Sequence, residues 1–136
     1  MGAAAQSMLR HSLKDEVLGL LSDAAIKGTE RIKITDFYRA FAQLAEQYPN
    51  EFPPMVFTRA GNSAYSKRLD SAVQSLVGYS VNLPNPQLQY LELSRDTAER
   101  HMDWLRETYG EGPVRELSRL GDVLLRELER VNQPHP

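Results

Sequence analysis

His11, His101 and His135 are the only histidines of the chain, and it has no cysteine. A zinc site needs three or four converging ligands. The histidines fall in three separate segments, none with another three or four positions on, so no metal centre is predicted. The neighbouring acids Asp15 and Glu16 could move protons only in a cleft that drives their pKa values apart. At the start of a helix, such acids ordinarily complement the positive end of its dipole. Gly110-Glu111-Gly112 lacks the further glycine or lysine of a phosphate-cradling loop. No serine stands in a nucleophile-elbow context. Catalysis, a metal and a resident cofactor are therefore not expected.

The richest unspent hydrogen-bonding capacity lies in Asn62-Ser63-Ala64-Tyr65-Ser66-Lys67-Arg68-Leu69-Asp70, extended by Ser71 and Gln74. Read as a helix from about Ser63 to Val77, this stretch buries Leu69, Ala72, Val73, Leu76 and Val77 and leaves a polar face. Gly78 stops it. A hairpin follows: Tyr79 to Leu83, a Pro84-Asn85-Pro86-Gln87 turn, then Leu88 to Leu93. Both prolines lie outside the strands, where a missing N–H is harmless. A polar-faced helix leading into a β-ribbon points to recognition of nucleic acid or protein rather than to an enzyme.

The elements that must position this stretch are legible on either side. The first helix runs from about Ser12 to Lys27, with Ser12 and Asp15 in capping-box spacing. Leu13, Val17, Leu20, Leu21, Ala24 and Ala25 make its apolar stripe, and Gly28 ends it. Arg31-Ile32-Lys33-Ile34 alternates as a short strand does. Thr35 or Asp36 is read as the cap of a second helix carrying Phe37, Phe41, Leu44, Ala45 and Tyr48, with Pro49 as its end. Phe52, Met55 and Phe57 read as core plugs in the loop that follows. A fourth helix begins near Ser94 to Thr97 with Ala98, Met102, Leu105 and Tyr109 inward and Trp104 as an interhelix anchor. Gly110-Glu111-Gly112-Pro113 is the clearest break. A fifth helix from about Pro113 to Val131 carries Leu117, Leu120, Leu124, Leu128 and Val131 on one stripe. Asp122 and Arg126, and Glu127 and Arg130, have the spacing of helix ion pairs.

The totals bound the rest. A chain of 136 residues, 41% of them hydrophobic, is one domain's worth of core. The net charge is -2, and the stretch from Ser94 onward mixes arginines with acids, as a solvated helical surface does. No apolar run approaches the roughly 18 residues of a membrane span, and Met1 to Gln6 fit neither a signal peptide nor a myristoylation pattern. The lack of cysteine fits a reducing, cytoplasmic setting.

The order of helix, short strand, two helices, hairpin and further helices resembles the winged helix-turn-helix superfamily over about residues 12–93. The implied architecture is α+β, mainly helical: a winged-helix core with a β-hairpin wing and two additional C-terminal helices. Residues 1–11 would form a flexible tail and 94–136 a helical extension. The resemblance implies duplex DNA as a partner, with the third helix in the major groove. Its readers would be Asn62, Ser63, Tyr65, Ser66, Lys67, Arg68, Ser71 and Gln74: Arg68 on a guanine edge, and Gln74 or Asn62 on an adenine edge. Lys67, Arg59, Lys33 and Arg39 would meet phosphates. The wing departs from the usual pattern, since Tyr79 to Leu93 contains no basic residue and one acid, Glu92. Phosphate neutralisation dominates DNA affinity, so a second reading stays open: a protein-interaction module in a larger assembly that touches its partner through the wing or the fifth helix. Leu83, Leu88 and Tyr90 equally suit packing on the domain's own sheet.

The trailing helices resemble those with which bacterial winged-helix regulators dimerise. That implies a homodimer and transcription regulation, with Trp104, Leu117, Leu120, Leu124, Leu128 and Val131 at the dimer contact. The alternative is that the leucine stripe packs on its own domain. A small-molecule pocket under Trp104, Phe57 and Tyr109 is a third reading that sequence alone does not separate from ordinary core.

Overall fold

The computed structural model describes residues 12–60, 63–77 and 90–132, without the side chains of Arg59, Ala60, Ser63 and Asn132. The chain is mainly helical with short antiparallel strand pairs: α1 (Leu13–Ile26), β1 (Arg31–Lys33), α2 (Ile34–Gln47), a 3-10 turn (Pro49–Glu51), β2 (Thr58–Ala60), β3 (Ser63–Tyr65), α3 (Lys67–Leu76), β4 (Tyr90–Glu92), α4 (Arg95–Tyr109) and α5 (Glu111–Asn132). The mainly helical α+β expectation holds. Among the described residues no helix is long and apolar enough to cross a membrane.

Helix α1 lies at the centre, with α3, α4 and α5 packed around it. Its Ser12 hydroxyl accepts from the Asp15 N–H at 3.4 Å, as the capping-box spacing predicts. Beyond the first turn almost every residue is buried, including Glu16, Ser22 and Asp23. Helix α2 closes the core with Phe37, Phe41 and Leu44, and Phe52 packs tilted against Phe41 at 5.0 Å between ring centroids. Phe52 is thus a core plug as expected, while Met55 and Phe57 are half-buried against the same cluster.

Strand β1 pairs antiparallel with β4, Ile32 opposite Leu91. Both inward residues are buried, and the flanking Arg31, Lys33 and Glu92 face water. This pairing ties the segment after α3 back to the strand before α2.

Three expected boundaries move. Helix α2 starts at Ile34 directly out of β1, with Lys33 as an N-cap that offers no side-chain hydrogen bond, so neither Thr35 nor Asp36 caps it. Burial of Ile34 holds the helix start there. Helix α5 starts at Glu111 rather than Pro113. Proline is tolerated in a first helical turn, where its missing N–H would have no intrahelical acceptor. Gly110, at φ 95°, therefore makes the whole break. The third correction concerns Ser63 to Tyr65, which form a strand rather than a helical turn.

A polar clip joins the end of α1 to α5. Lys27 Nζ lies 2.6 Å from both Asp23 Oδ2 and Asp122 Oδ1, and the Ser118 hydroxyl donates to Asp23 Oδ1 at 2.8 Å. Burial alone would lower the Lys27 pKa, but its bonds to Asp122 and Asp23 outweigh that and raise it. The hydrogen bond from Lys27 holds the Asp122 carboxyl below the usual range. Asp122 was expected to pair with Arg126; it turns to Lys27, and Arg126 reaches only its backbone carbonyl at 3.5 Å. The clip requires a glycine on α5, because a Cβ at Gly121 would stand 2.0 Å from Asp23 Oδ2 and 2.9 Å from Asp23 Cγ. At Gly19 a Cβ would stand 2.0 Å from a methyl carbon of Leu117.

Gly121→Ala is expected to lower unfolding free energy by about 1–3 kcal/mol, the usual cost of overpacking a filled site, read from the urea midpoint; an unchanged midpoint would show that Asp23 can yield. The clip also sets a pH response. The Asp122 contribution is complete above the ordinary carboxylate pKa of about 4 and is lost as pH falls through its lower folded value. The Lys27 contribution is complete below its ordinary pKa and is lost as pH rises through its raised folded value. Melting curves of the wild type and Asp122→Asn should therefore differ at neutral pH and converge in acid. Identical melting temperatures at neutral pH would remove the clip as a stabilising element.

Candidate nucleic-acid interface

Helix α3 is short, and its boundaries are set by side-chain chemistry. Ser66 is extended, at φ -128° and ψ 125°, and its hydroxyl accepts from the Leu69 N–H at 3.2 Å. Ser66 is buried in that role, so it caps the helix and is not a reader. Ahead of it, Thr58, Arg59 and Ala60 pair with Tyr65, Ala64 and Ser63. Gly61-Asn62, a hairpin-type dipeptide, separates the paired Ala60 and Ser63; that was the signal against a helical start at Ser63. Tyr65 is exposed on β3. Asn62, the Ser63 and Arg59 side chains, and the expected wing from Tyr79 to Gln89 lie outside the described residues.

On α3, Leu69, Ala72, Val73 and Leu76 are buried, as their spacing predicts. Lys67, Arg68, Ser71, Gln74 and Ser75 are exposed. The outward face of α3 is therefore wholly polar. Asp70, the helix's one acid, is half-buried and accepts from the Tyr38 hydroxyl of α2 at 2.5 Å. Burial, and then the hydrogen bond to Asp70, push the Tyr38 pKa upward, so this hydroxyl stays a donor. It fixes α3 against α2. Arg68 is also anchored: one guanidinium nitrogen donates to the Pro54 carbonyl at 3.0 Å. This bond aims the side chain along the loop and leaves its other donors for a ligand. Sequence alone gives no sign of the role of Tyr38, because an inward tyrosine among phenylalanines reads as plain core.

Lys33 ends β1 and Arg39 is on α2, so neither is on this face. Lys33 is exposed and lines a cleft of about 410 Å³ with Arg31, Asp36 and Tyr90. The Arg31 guanidinium carbon there stands 4.1 Å from the Tyr90 ring centroid. Arg39 is half-buried. The structure thus gathers Lys67, Arg68, Ser71 and Gln74 and leaves the other expected phosphate contacts on separate elements.

The leucines expected at a dimer contact lie inside the chain's own core. Leu117, Leu120, Leu124 and Leu128 are buried in the chain's own core, and Val131 is half-buried. Helix α5 packs on both α1 and α2, so the stripe faces the inside of its own domain. Glu127, also buried, accepts from Gln47 Nε2 of α2 at 3.0 Å and sits 3.5 Å from Arg130, the pair expected from its spacing. Trp104 is not an interhelix anchor: it is 46% exposed.

Among the described residues, no hollow brings Trp104, Phe57 and Tyr109 together. Phe57 lines a hollow of about 480 Å³ with Phe52, Pro53, Met55 and Ala45. Tyr109 instead donates to Asp15 of α1, and burial together with that bond pushes its pKa up to about 12. No group of three or more candidate metal ligands occurs among the described residues. In comparisons with known proteins, the chain matches no family model, no curated protein and no solved structure.

Tyr38→Phe keeps the buried ring and removes its donor to Asp70. It should cost about 1.5–3 kcal/mol, the worth of a hydrogen bond to a charged group, measured by urea unfolding. No loss of stability would show that α3 holds its place by apolar packing alone.

Proposed function

We propose that this chain is a winged helix-turn-helix module that binds duplex DNA through the outward face of α3. The observation that carries this reading is that face itself. It joins two cations at the first helical turn to Ser71 and Gln74 one and two turns on. The helix's acid is directed back into the protein toward Tyr38. Such a face can meet phosphates with Lys67 and base edges with Arg68 and Gln74. The element order and the antiparallel β1–β4 pairing support the winged-helix assignment. In that topology the strand before the second helix pairs with the returning strand of the wing. Transcription regulation would follow from sequence-selective binding.

One feature departs from the simplest form of the motif. Residues 48–66, including a 3-10 turn and the β2–β3 hairpin, separate α2 from α3, where a compact motif uses three or four residues. That hairpin and the uncharged sequence from Tyr79 to Tyr90 favour a second reading, a protein-interaction module of the same architecture. Electrostatics separates the two, because phosphate contacts release counterions and protein contacts of uncharged surfaces do not.

Fluorescence anisotropy with a mixed duplex pool, titrated across salt, tests the proposal. Binding should weaken linearly on a log–log salt plot. Lys67→Ala should weaken it for all sequences alike and reduce the salt slope by about 1, and Gln74→Ala should alter sequence preference. Binding indifferent to Lys67→Ala would overturn the α3 assignment, and absence of binding at low salt would overturn the DNA reading in favour of protein interaction.

A further inference from the structure

The chain's one tryptophan stands on the outer face of α4. At 46% exposure, Trp104 leaves a large part of its ring in water, although tryptophan is among the residues most often found at the energetic centre of interfaces. Helical spacing puts Arg100 four residues before it and Glu107 three after, so all three share one face. Thr97 and Thr108 border it at the same periodicity. Arg100 and Glu107 are both exposed. Among the described residues neither belongs to an ion pair; Arg100 donates only to the Thr97 hydroxyl at 3.2 Å. Elsewhere on α4, Arg95 is paired with Glu99, and Arg106 with Asp103 and Glu111. Arg100 and Glu107, of opposite sign, therefore flank the exposed tryptophan, while the helix's other exposed acid outside these pairs, Asp96, lies in its first turn.

Their placement is self-complementary. Arg100 and Glu107 are equidistant from the midpoint between Asp103 and Trp104. A two-fold axis through that midpoint, perpendicular to α4, runs a second α4 antiparallel to the first. It sets Arg100 opposite Glu107 of the partner subunit, and Glu107 opposite Arg100 of the partner subunit. The two tryptophans meet beside the axis. We infer that the exposed face of α4 docks against the same face of a second copy of this chain, with Trp104 at the centre and two reciprocal Arg100–Glu107 ion pairs around it. Such an isologous contact closes after two subunits. The leucines of α5, buried in the core, are not needed for it. Each ion pair would shield the edge of the tryptophan contact from water. The inference is independent of what α3 binds.

The test needs no DNA. Sedimentation velocity over a concentration series, with the emission of the single tryptophan recorded on the same samples, should show the mass rising from 15.4 kDa to twice that value, with a blue shift as Trp104 leaves water. Arg100→Glu sets like charges against each other at both pairs and should raise the dissociation constant about tenfold or more. Adding Glu107→Arg to it exchanges the two charges and should restore the dimer. Trp104→Ser should leave a monomer, and circular dichroism melts check that each variant stays folded. A monomer at every concentration would overturn the inference. So would a dimer indifferent to Arg100→Glu and Trp104→Ser, or one that the exchanged pair fails to restore. None of these outcomes bears on DNA binding, which the anisotropy titration reads separately.

Discussion

Asp23 lies in the wall of the central helix with 4% of its surface exposed, and a carboxylate in that position must be balanced where it stands. Burying a charge costs several kcal/mol unless partners and hydrogen bonds replace its water. Lys27 supplies the opposite charge one turn along the same helix, and Ser118 supplies a hydroxyl from α5. Their geometry fixes how close α5 must come, and Gly121 permits that approach by leaving room for the carboxylate. Asp122 completes the arrangement from the solvent side, at 2.6 Å from Lys27. The orientation of the longest helix thus follows from a polar requirement, while the leucines of α5 fill the space that it encloses.

Once α5 is placed, the remaining helices have defined neighbours. Helix α1 is wrapped by α3, α4 and α5 and joined to α4 at its other end by the Tyr109–Asp15 hydrogen bond. Helix α2 closes the bottom of the core through its phenylalanines and is linked to α5 by Gln47 and Glu127. The candidate interface is built on this frame. Helix α3 is capped by Ser66, held to α2 through Tyr38 and Asp70, and connected to the preceding loop through Arg68 and Pro54. Its exposed side chains are consequently displayed on a rigid backbone, a condition for reading any ligand by hydrogen bonds.

The two proposed surfaces differ in how they use charge. On α3, the cations point outward and the acid is turned inward, which suits an anionic ligand. On α4, opposite charges flank an aromatic ring symmetrically, which suits a copy of the same surface. Both arise from placement rather than from composition, since the chain as a whole is close to neutral at -2.

Apolar periodicity and capping residues were sufficient to read the five helices, the short strand at Arg31 to Lys33, and the inward residues of α1, α3 and α5. These are local properties, carried by spacing and by hydrogen bonds between near neighbours such as Ser12 and Asp15. The start of α3 was misread because Asn62 to Ser66 contains three polar residues that suit a helix N-terminus equally well at several positions; pairing with β2 decided among them. The inward turn of the α5 stripe was likewise beyond local pattern. A leucine stripe carries no information about whose surface covers it, and α1 and α2 settled that by offering a complementary face. Gly19 and Gly121 mark close approaches visible only once the facing Leu117 and Asp23 are in place. The amino-acid order by itself determined which segments would be helices and which sides of them avoid water. The tertiary structure alone decided which polar groups meet across the core, and so which remain outside, because those encounters join residues far apart in the chain, as Lys27 and Asp122 are at 95 positions.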